Sequence, residues 1–393
     1  MRIGYFIAHF PYEGGATDKV YFRGGAIRAA HDLASCLVDR GHDIAVFTSS
    51  INRRDSVEKR TNMTVYRYGT DFRILSSNFA LGMFWKPLRI DVDIVHAHFS
   101  VPPGTLAAMR YAKRKKIPMV LTYHGDWQES WGNFVRRWGL SCYNKFLLDR
   151  ILSFASVIIS PSEYYIDESR FLAKHRNKIM AIPNGINIED FEVPYSKEEC
   201  RKRLNLPINA NIILFVGALT PYKGPEVLVK AMPRILEAVA NTELVYVGDG
   251  LMRSELAELS RRLKVEINTK FVGFVGDIFQ KVLYYKSADV FVLPSTMNTE
   301  VFPLVLLEAS AAGLPMVVSD LQTFRCIVND GSNGIVTERR NEAELAEAIL
   351  YLLKNKDARQ KMSNYAREYV KRFTWDKIAE RTEQVYKDVL SKK

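Results

Sequence analysis

Two glutamates, Glu300 and Glu308, bracket seven uncharged residues within TMNTEVFPLVLLEASAAGLPMV (296–317). A carboxylate in so apolar a setting needs a partner, and ligand hydroxyls are one class of partner. DVFVLPS (289–295) reads as a buried strand. A loop follows, then a helix with Pro303 in its first turn, running to about Ala312, with Gly313 and Pro315 just beyond it. Glu300 then lies in the strand-to-helix loop and Glu308 in the second helical turn. Between them, first-turn N–H groups without intrahelical partners carry the positive end of the helix dipole, which makes an anion site. A phosphate there leaves Glu308 to accept from vicinal hydroxyls on one side and Glu300 to hold hydroxyls on the other. The plainer alternative is a dipole-complementing Glu300 and a Glu308 paired with a nearby cation.

FVGALTPYKGPEVLVKA (215–231) repeats the strand, loop and helix order, with Gly217, Lys223 and Gly224 in its loop. Lys223 is placed to meet an anion near that helix start. The Lys-Gly order is not a phosphate loop of the Gly-Lys-Ser/Thr kind, and no Gly-x-Gly-x-x-Gly occurs. Earlier in the chain, RGGAIRAAHDL (23–33) sets Gly24 and Gly25 at a helix entry after the first strand, where a ligand can approach bare backbone. IPMVLTYHGDW (117–127) ends a strand on His124 followed by Gly125. His96 and His98 share one face of the strand VDIVHAH, a metal-capable spacing without a third ligand nearby. Asp91-Val92-Asp93 resembles a metal-chelating acidic pair but precedes a strand, where carboxylates commonly punctuate. The segments 76–90 and 127–140 mix aromatics with basic residues, as contacts to an acceptor or a bilayer do.

These residues need elements to hold them. Short apolar runs (RIGYFIAHF, DIAVFTSS, MTVYRYG, VDIVHAH, IPMVLTYH, ASVIIS, KIMAIP, then NIILFVGAL, TELVYVGD, KFVGFV, DVFVLPS, PMVVSD) alternate with helical stretches. Continuous apolar strands alternating with helices predict α/β domains whose parallel sheets are covered on both faces. Such sheets bind ligands beyond the carboxyl ends of their strands, where most of these residues fall. The pattern breaks over the polar stretch 190–210. A chain of 393 residues is long for one core, so two doubly wound domains are expected. We place them at 1–195 and 196–374, with a last helical segment at 375–393.

The net charge of +11 is modest and diffuse. It suits an anionic ligand or membrane surface, and no nucleic-acid signature accompanies it. Four widely spaced cysteines with no Cys-x-x-Cys pair suit free thiols in a reducing cytoplasm. A strand-like run from residue 2, followed by Glu13, leaves no room for a cleavable signal peptide. Location is therefore expected to be cytoplasmic, with peripheral contact at the inner face of the membrane as a further expectation.

Glu-x7-Glu within PSTMNTEVFPLVLLEASAAGLPMVVSD, together with GGAIRAAHDLASCLVDRGHDIAVFT, DIVHAH, TYHG, IPNGINIEDF, FVGALTPYKG, YVGDG and FTWDKIAERTEQVY, resembles glycosyltransferase family 4 over nearly the whole chain. These are retaining enzymes of the GT-B fold. The resemblance implies two Rossmann-like domains facing across a cleft, the C-terminal one binding the nucleotide-sugar and the last helix bracing the N-terminal one. It implies that Lys223 neutralises the donor diphosphate, with N–H groups around Phe302, Leu304 and Val305 facing phosphate and Gly217 close by. Glu308 would hold the ribose, Glu300 a hydroxyl of the donor sugar. His124 would lie beside the reacting centre, with Gly24 and Gly25 near donor and acceptor. No metal and no cofactor is implied beyond the NDP-sugar co-substrate.

The reaction expected is transfer from a UDP-, GDP- or ADP-sugar, with retention, to a hydroxyl of a saccharide, lipid-linked or small-molecule acceptor. Three departures bear on this. Ala218 stands where the family commonly has arginine, Pro303 replaces a usual glycine and removes an N–H, and LQTFRCIV (321–328) replaces a stretch with a glycine pair and a Pro-Glu. Arg325 is the candidate replacement cation. The alternatives are a catalytically impaired nucleotide-sugar-binding protein, or another GT-B enzyme such as a phosphorylase or sugar-nucleotide epimerase.

Overall fold

The computed structural model describes residues 1–12, 24–74, 77–99, 103–127 and 134–392. It divides into two compact units, Met1–Gly185 with Trp375–Lys393, and Ile186–Thr374.

In the first unit, the strands are β1 (Arg2–Phe6), β2 (Asp43–Ser49), β3 (Ser56–Arg60), β4 (Met63–Tyr68), β5 (Phe72–Ile74), β6 (Ser77–Phe79), β7 (Ile94–Phe99), β8 (Met119–Tyr123), β9 (Val157–Ser160) and β10 (Ile179–Ala181). Eight of them form one sheet in the order β10-β9-β8-β7-β1-β2-β4-β3, while β5 and β6 pair as a separate hairpin. Every pairing in the large sheet is parallel except β3 with β4. Its inner strands are buried along their length, as parallel strands covered on both faces must be.

In the second unit, the strands are β11 (Asn211–Val216), β12 (Thr242–Val247), β13 (Thr269–Gly273), β14 (Val290–Leu293), β15 (Met316–Ser319) and β16 (Gly334–Thr337). They form one wholly parallel sheet in the order β13-β12-β11-β14-β15-β16. The chain leaves β11 in one direction and returns to its other edge as β14. That reversal opens a crevice at the carboxyl ends of β11 and β14, the usual ligand position in such a sheet. In the first unit the same reversal lies between β1 and β7.

The unit boundary falls ten residues earlier than the expected end of the first domain at 195. Ile186 donates its N–H to Phe373 O at 2.8 Å and bridges Thr374, which ties the segment after Gly185 into the second unit. The supposed linker 190–210 also holds a helix, Lys197–Arg203, opened by a reciprocal Ser196/Glu199 capping box. Buried Arg201 on that helix donates to Ser287 O at 2.9 Å and to Asp289 Oδ2 at 2.7 Å, fastening the segment to the second unit.

The last helix, Trp375–Ser391, belongs to the first unit. Its Trp375, Ile378, Ala379, Val385 and Tyr386 join the core made by β1, β2 and the helix Gly25–Asp39. Glu383 on it accepts from Arg40 Nη2 at 2.8 Å. The helix Glu163–Glu168 is short, because Ser169 Oγ donates to Asp126 Oδ1 at 2.7 Å and accepts from Phe171 N and Leu172 N, both at 3.3 Å.

Candidate functional site

Gly217 follows strand β11, and the chain then makes a single helical turn, Pro221–Lys223, before the helix Pro225–Ala238. Gly224, at φ +62°, joins the two, and a Cβ there would stand 2.1 Å from Pro294 O, so only glycine lets this turn pack on the end of β14. A Cβ at Gly217 would press on Lys223 Cδ at 3.1 Å. The bare backbone of Gly217 is therefore what lets the Lys223 side chain run over it.

The chain after β14 comes up beside that turn. Thr296 N donates to Tyr222 O at 2.8 Å and Thr296 Oγ1 to Pro221 O at 2.9 Å. Lys223 reaches across to form a buried ion pair with Glu300 Oε1. The other Glu300 oxygen accepts from Ser295 Oγ at 2.6 Å, and Thr323 Oγ1 donates to Glu300 O at 2.7 Å. Burial pulls the Lys223 ammonium down, but the Glu300 carboxylate beside it more than offsets this and leaves it above its ordinary value.

Glu308 lies in the helix Leu304–Ala312, in its second turn. It is 2% exposed, and both oxygens are engaged: Lys281 Nζ donates to Oε1 at 2.6 Å and Tyr285 OH to Oε2 at 2.7 Å. The Lys281 contact is the cation pairing that the plainer alternative expected of Glu308. The helix Ile278–Ser287 carries Lys281 and Tyr285 four residues apart on one face, directly onto the carboxylate. The sequence reading missed both residues. Their signal is a lysine and a tyrosine at helical spacing, which does not name the carboxylate they meet.

Pro303 is the residue before this helix rather than in its first turn. Its backbone is extended (φ −74°, ψ 113°), and its carbonyl accepts from Leu306 N at 3.0 Å. The helix starts at Leu304, and the N–H groups of Leu304 and Val305 open its first turn. The Phe302 ring is buried against Phe373, with centroids 5.8 Å apart. Arg325 is exposed on the 3-10 turn Gln322–Cys326, two residues from Thr323. Ala218 is exposed after Gly217.

His124 belongs to the first unit, just past β8. Its Nε2 lies 3.1 Å from His98 Nδ1, and the two rings stack with centroids 5.4 Å apart. His96 is engaged on both ring nitrogens, by Tyr386 OH at 2.5 Å and Thr122 Oγ1 at 2.7 Å, so it is bound into the core rather than offered to a metal. Burial holds His124 near pKa 4 and His96 near 3, and pushes His98 well below the ordinary histidine value. All three are neutral at pH 7. Gly24 caps the helix Gly25–Asp39, its carbonyl accepting from Ile27 N and Arg28 N at 3.1 Å each. Among the described residues a Cβ at Gly24 would meet only Ile27, at 3.5 Å, so local packing does not demand glycine there.

The acidic pair ahead of β7 is structural. Asp91 Oδ1 accepts from Lys115 Nζ at 2.6 Å, and Asp93 Oδ2 accepts from Arg2 N at 2.7 Å. Among the described residues no group of three or more His, Cys, Asp or Glu is arranged to hold a metal ion.

Residues 23–190 match the model described as Glycosyltransferase Family 4, and residues 196–369 match that of Glycosyl transferases group 1. The chain is a family 4 glycosyltransferase. A stretch of 216 residues is 40% identical to an uncharacterized glycosyltransferase of Methanocaldococcus jannaschii, and that match spans 54% of either chain. Over 410 residues, covering 100% of this chain and 98% of the other, it is 27% identical to alpha-monoglucosyldiacylglycerol synthase of Acholeplasma laidlawii. Among solved structures, sucrose-phosphate synthase from Thermosynechococcus elongatus superimposes with a TM-score of 0.77 at 22% identity, covering 100% of each chain. That likeness establishes the GT-B fold of two Rossmann-like units. Within this glycosyltransferase, the structure brings Gly217, Lys223 and Glu300 together at one strand-end crevice. Glu308 sits on the helix that follows, and Gly24, Gly25 and His124 lie on the first unit.

Proposed function

We propose that this glycosyltransferase takes its sugar from a nucleoside diphosphate sugar bound by the second unit and transfers it with retention at the anomeric carbon. The observation that carries the reading is the buried Lys223–Glu300 pair at the β11/β14 reversal, just ahead of the helix start at Leu304. A diphosphate set against that helix start meets the dipole and the Lys223 ammonium together. Negative charge grows on the leaving diphosphate as the glycosidic bond breaks. A preorganised cation and aligned N–H groups stabilise that charge more than they stabilise the ground state. This charge work is done by protein groups alone, so activity is expected to survive a chelator.

Glu300 is held from two sides, by Lys223 and by Ser295. That arrangement supports a carboxylate that orients a donor-sugar hydroxyl and balances the positive charge developing at the anomeric carbon. Glu308, a carboxylate held in one orientation by Lys281 and Tyr285 on the helix that follows, is assigned the two adjacent ribose hydroxyls. The neutral His124, steadied by His98, is assigned a hydrogen bond to the reacting sugar or acceptor. The acceptor is a hydroxyl compound of the saccharide or lipid-linked kind.

A thermal-shift panel of UDP, GDP, ADP and their sugars tests donor binding, since a ligand of the native state raises the melting temperature. A rise with one base and its sugar, followed by release of that nucleoside diphosphate on incubation, is the expected result. No shift with any of them sinks the reading. Ala218 and Pro303 favour a second reading, a protein that binds donor without transfer. A thermal shift without nucleotide release for any acceptor would select it.

A further inference from the structure

We infer that the helical run from residue 134 to residue 154 docks this protein on an anionic lipid bilayer. The run is built from Phe134–Tyr143, a π-turn over Asn144–Leu148, and Asp149–Phe154. Its inner side buries Tyr143, Leu148, Ile151 and Leu152. Its outer side carries Phe134, Trp138 and Phe146, spaced by multiples of four and exposed by 79%, 64% and 56%. Among the described aromatic residues these three are the most exposed, and Phe134 and Trp138, four residues apart, are neighbours on the first helix of the run.

Their surroundings name the occupant. Arg137, Lys145 and Arg150 are exposed on the same run, and Lys145 Nζ stands 5.4 Å from the Phe146 ring, which sets a cation directly beside the aromatic. Asp149, the lone carboxylate of residues 134–154, faces His175 Nε2 at 3.2 Å. Aromatics that enter the acyl boundary, rimmed by cations that meet lipid phosphates, are the pattern of a helix lying in a membrane interface. Among the described residues no helix is long and apolar enough to cross a membrane, so the contact proposed is interfacial. It stands whether or not the donor reading holds, because binding to a bilayer requires no sugar transfer.

The test uses the full chain and vesicles of phosphatidylcholine alone or mixed with phosphatidylglycerol. The protein is expected to sediment with the mixed vesicles, less with phosphatidylcholine, and less at raised salt, which screens the basic rim. Phe134→Ser with Trp138→Ser and Phe146→Ser should weaken vesicle binding by about tenfold or more while leaving circular dichroism and nucleotide binding unchanged. Arg137→Glu with Lys145→Glu, the aromatics intact, should weaken it about fivefold or more per charge. Brominated lipid should quench the protein's fluorescence less in Trp138→Phe than in the parent. Failure of the parent to sediment with mixed vesicles overturns the inference, as does unchanged binding by the triple variant. A concentration-dependent dimer that the triple variant loses, without vesicle binding by either, would make this face a contact between two copies instead.

Discussion

Lys223 and Glu300 stand 77 residues apart in sequence and meet in a buried ion pair at the carboxyl ends of β11 and β14. Neither residue's partner follows from its local sequence. In the proposed reading the pair supplies a cation for the donor diphosphate and a carboxylate for its sugar. The charges neutralise each other, which limits the cost of burying either one.

Replacing Lys223 with Met removes the cation and leaves Glu300 buried without its partner. We expect kcat/KM to fall by at least ~100-fold, the scale of losing a transition-state donor. Stability should fall by about 3–5 kcal/mol in denaturant titration, since breaking a buried pair strands a charge. Adding Glu300→Gln should restore most of the stability and none of the activity. A Lys223→Met enzyme with near-normal turnover would remove this residue from the site.

Glu300→Gln alone keeps the shape and the Ser295 contact but loses the negative charge. The variant should remain folded, bind nucleoside diphosphate within a few-fold of the parent, and turn over at a rate near the assay floor. Calorimetry with the diphosphate, set beside a product assay, separates the two effects. An active glutamine variant contradicts the assignment.

Tyr285→Phe removes one of the donors that orient Glu308 without touching the diphosphate site. A neutral hydrogen bond is worth about 1 kcal/mol, so the donor KM should rise about fivefold with kcat little changed. An unchanged KM would mean that Glu308 serves the packing of its helix rather than the ribose.

The histidine cluster makes the first unit acid-sensitive. His124 and His96 titrate near 4 and near 3 in the folded chain, whereas an unfolded histidine titrates near 6.5. Between these values the unfolded chain binds more protons than the folded one, so stability rises with pH through that window. It is fully present above about pH 6.5 and is lost as pH falls toward 4, at about 1.4 kcal/mol for each unit of depression at each ring. Denaturant midpoints at pH 7.5 and pH 5 measure the loss. Replacing His96 with Gln should flatten the dependence.

Gly224→Ala should destabilise the second unit by about 2 kcal/mol or more, since φ +62° and a 2.1 Å approach to Pro294 O both oppose a Cβ. Nucleotide binding, read by calorimetry below the melting transition, should weaken as well, because this turn carries Lys223.

The strands that hold the site were legible because parallel strands buried on both faces must be apolar throughout, as NIILFVGAL and DVFVLPS are. Elements at the margins were not. The edge strand SVEKR at β3 is polar and pairs antiparallel with β4 through its backbone, and the hairpin of β5 and β6 is short. The capping-box helix at Lys197–Arg203 carries a readable signal in Ser196 and Glu199 but lies in a stretch whose polarity suggested a linker. The domain boundary moved for the same reason: pairing of Ile186 with Phe373 and Thr374 depends on a partner almost two hundred residues away.

The sequence by itself determined the two α/β sheets, the helix behind Glu308, and the presence of Lys223, Glu300 and His124 at strand ends. Those features rest on local periodicity and on the chemistry of single residues. Only the tertiary structure decided which charges meet. It gave Glu300 to Lys223, Glu308 to Lys281 and Tyr285, and His124 to His98, because each partner comes from a different strand end or helix face. Sheet order sets those meetings, and sheet order is a property of how distant segments pack rather than of any segment alone.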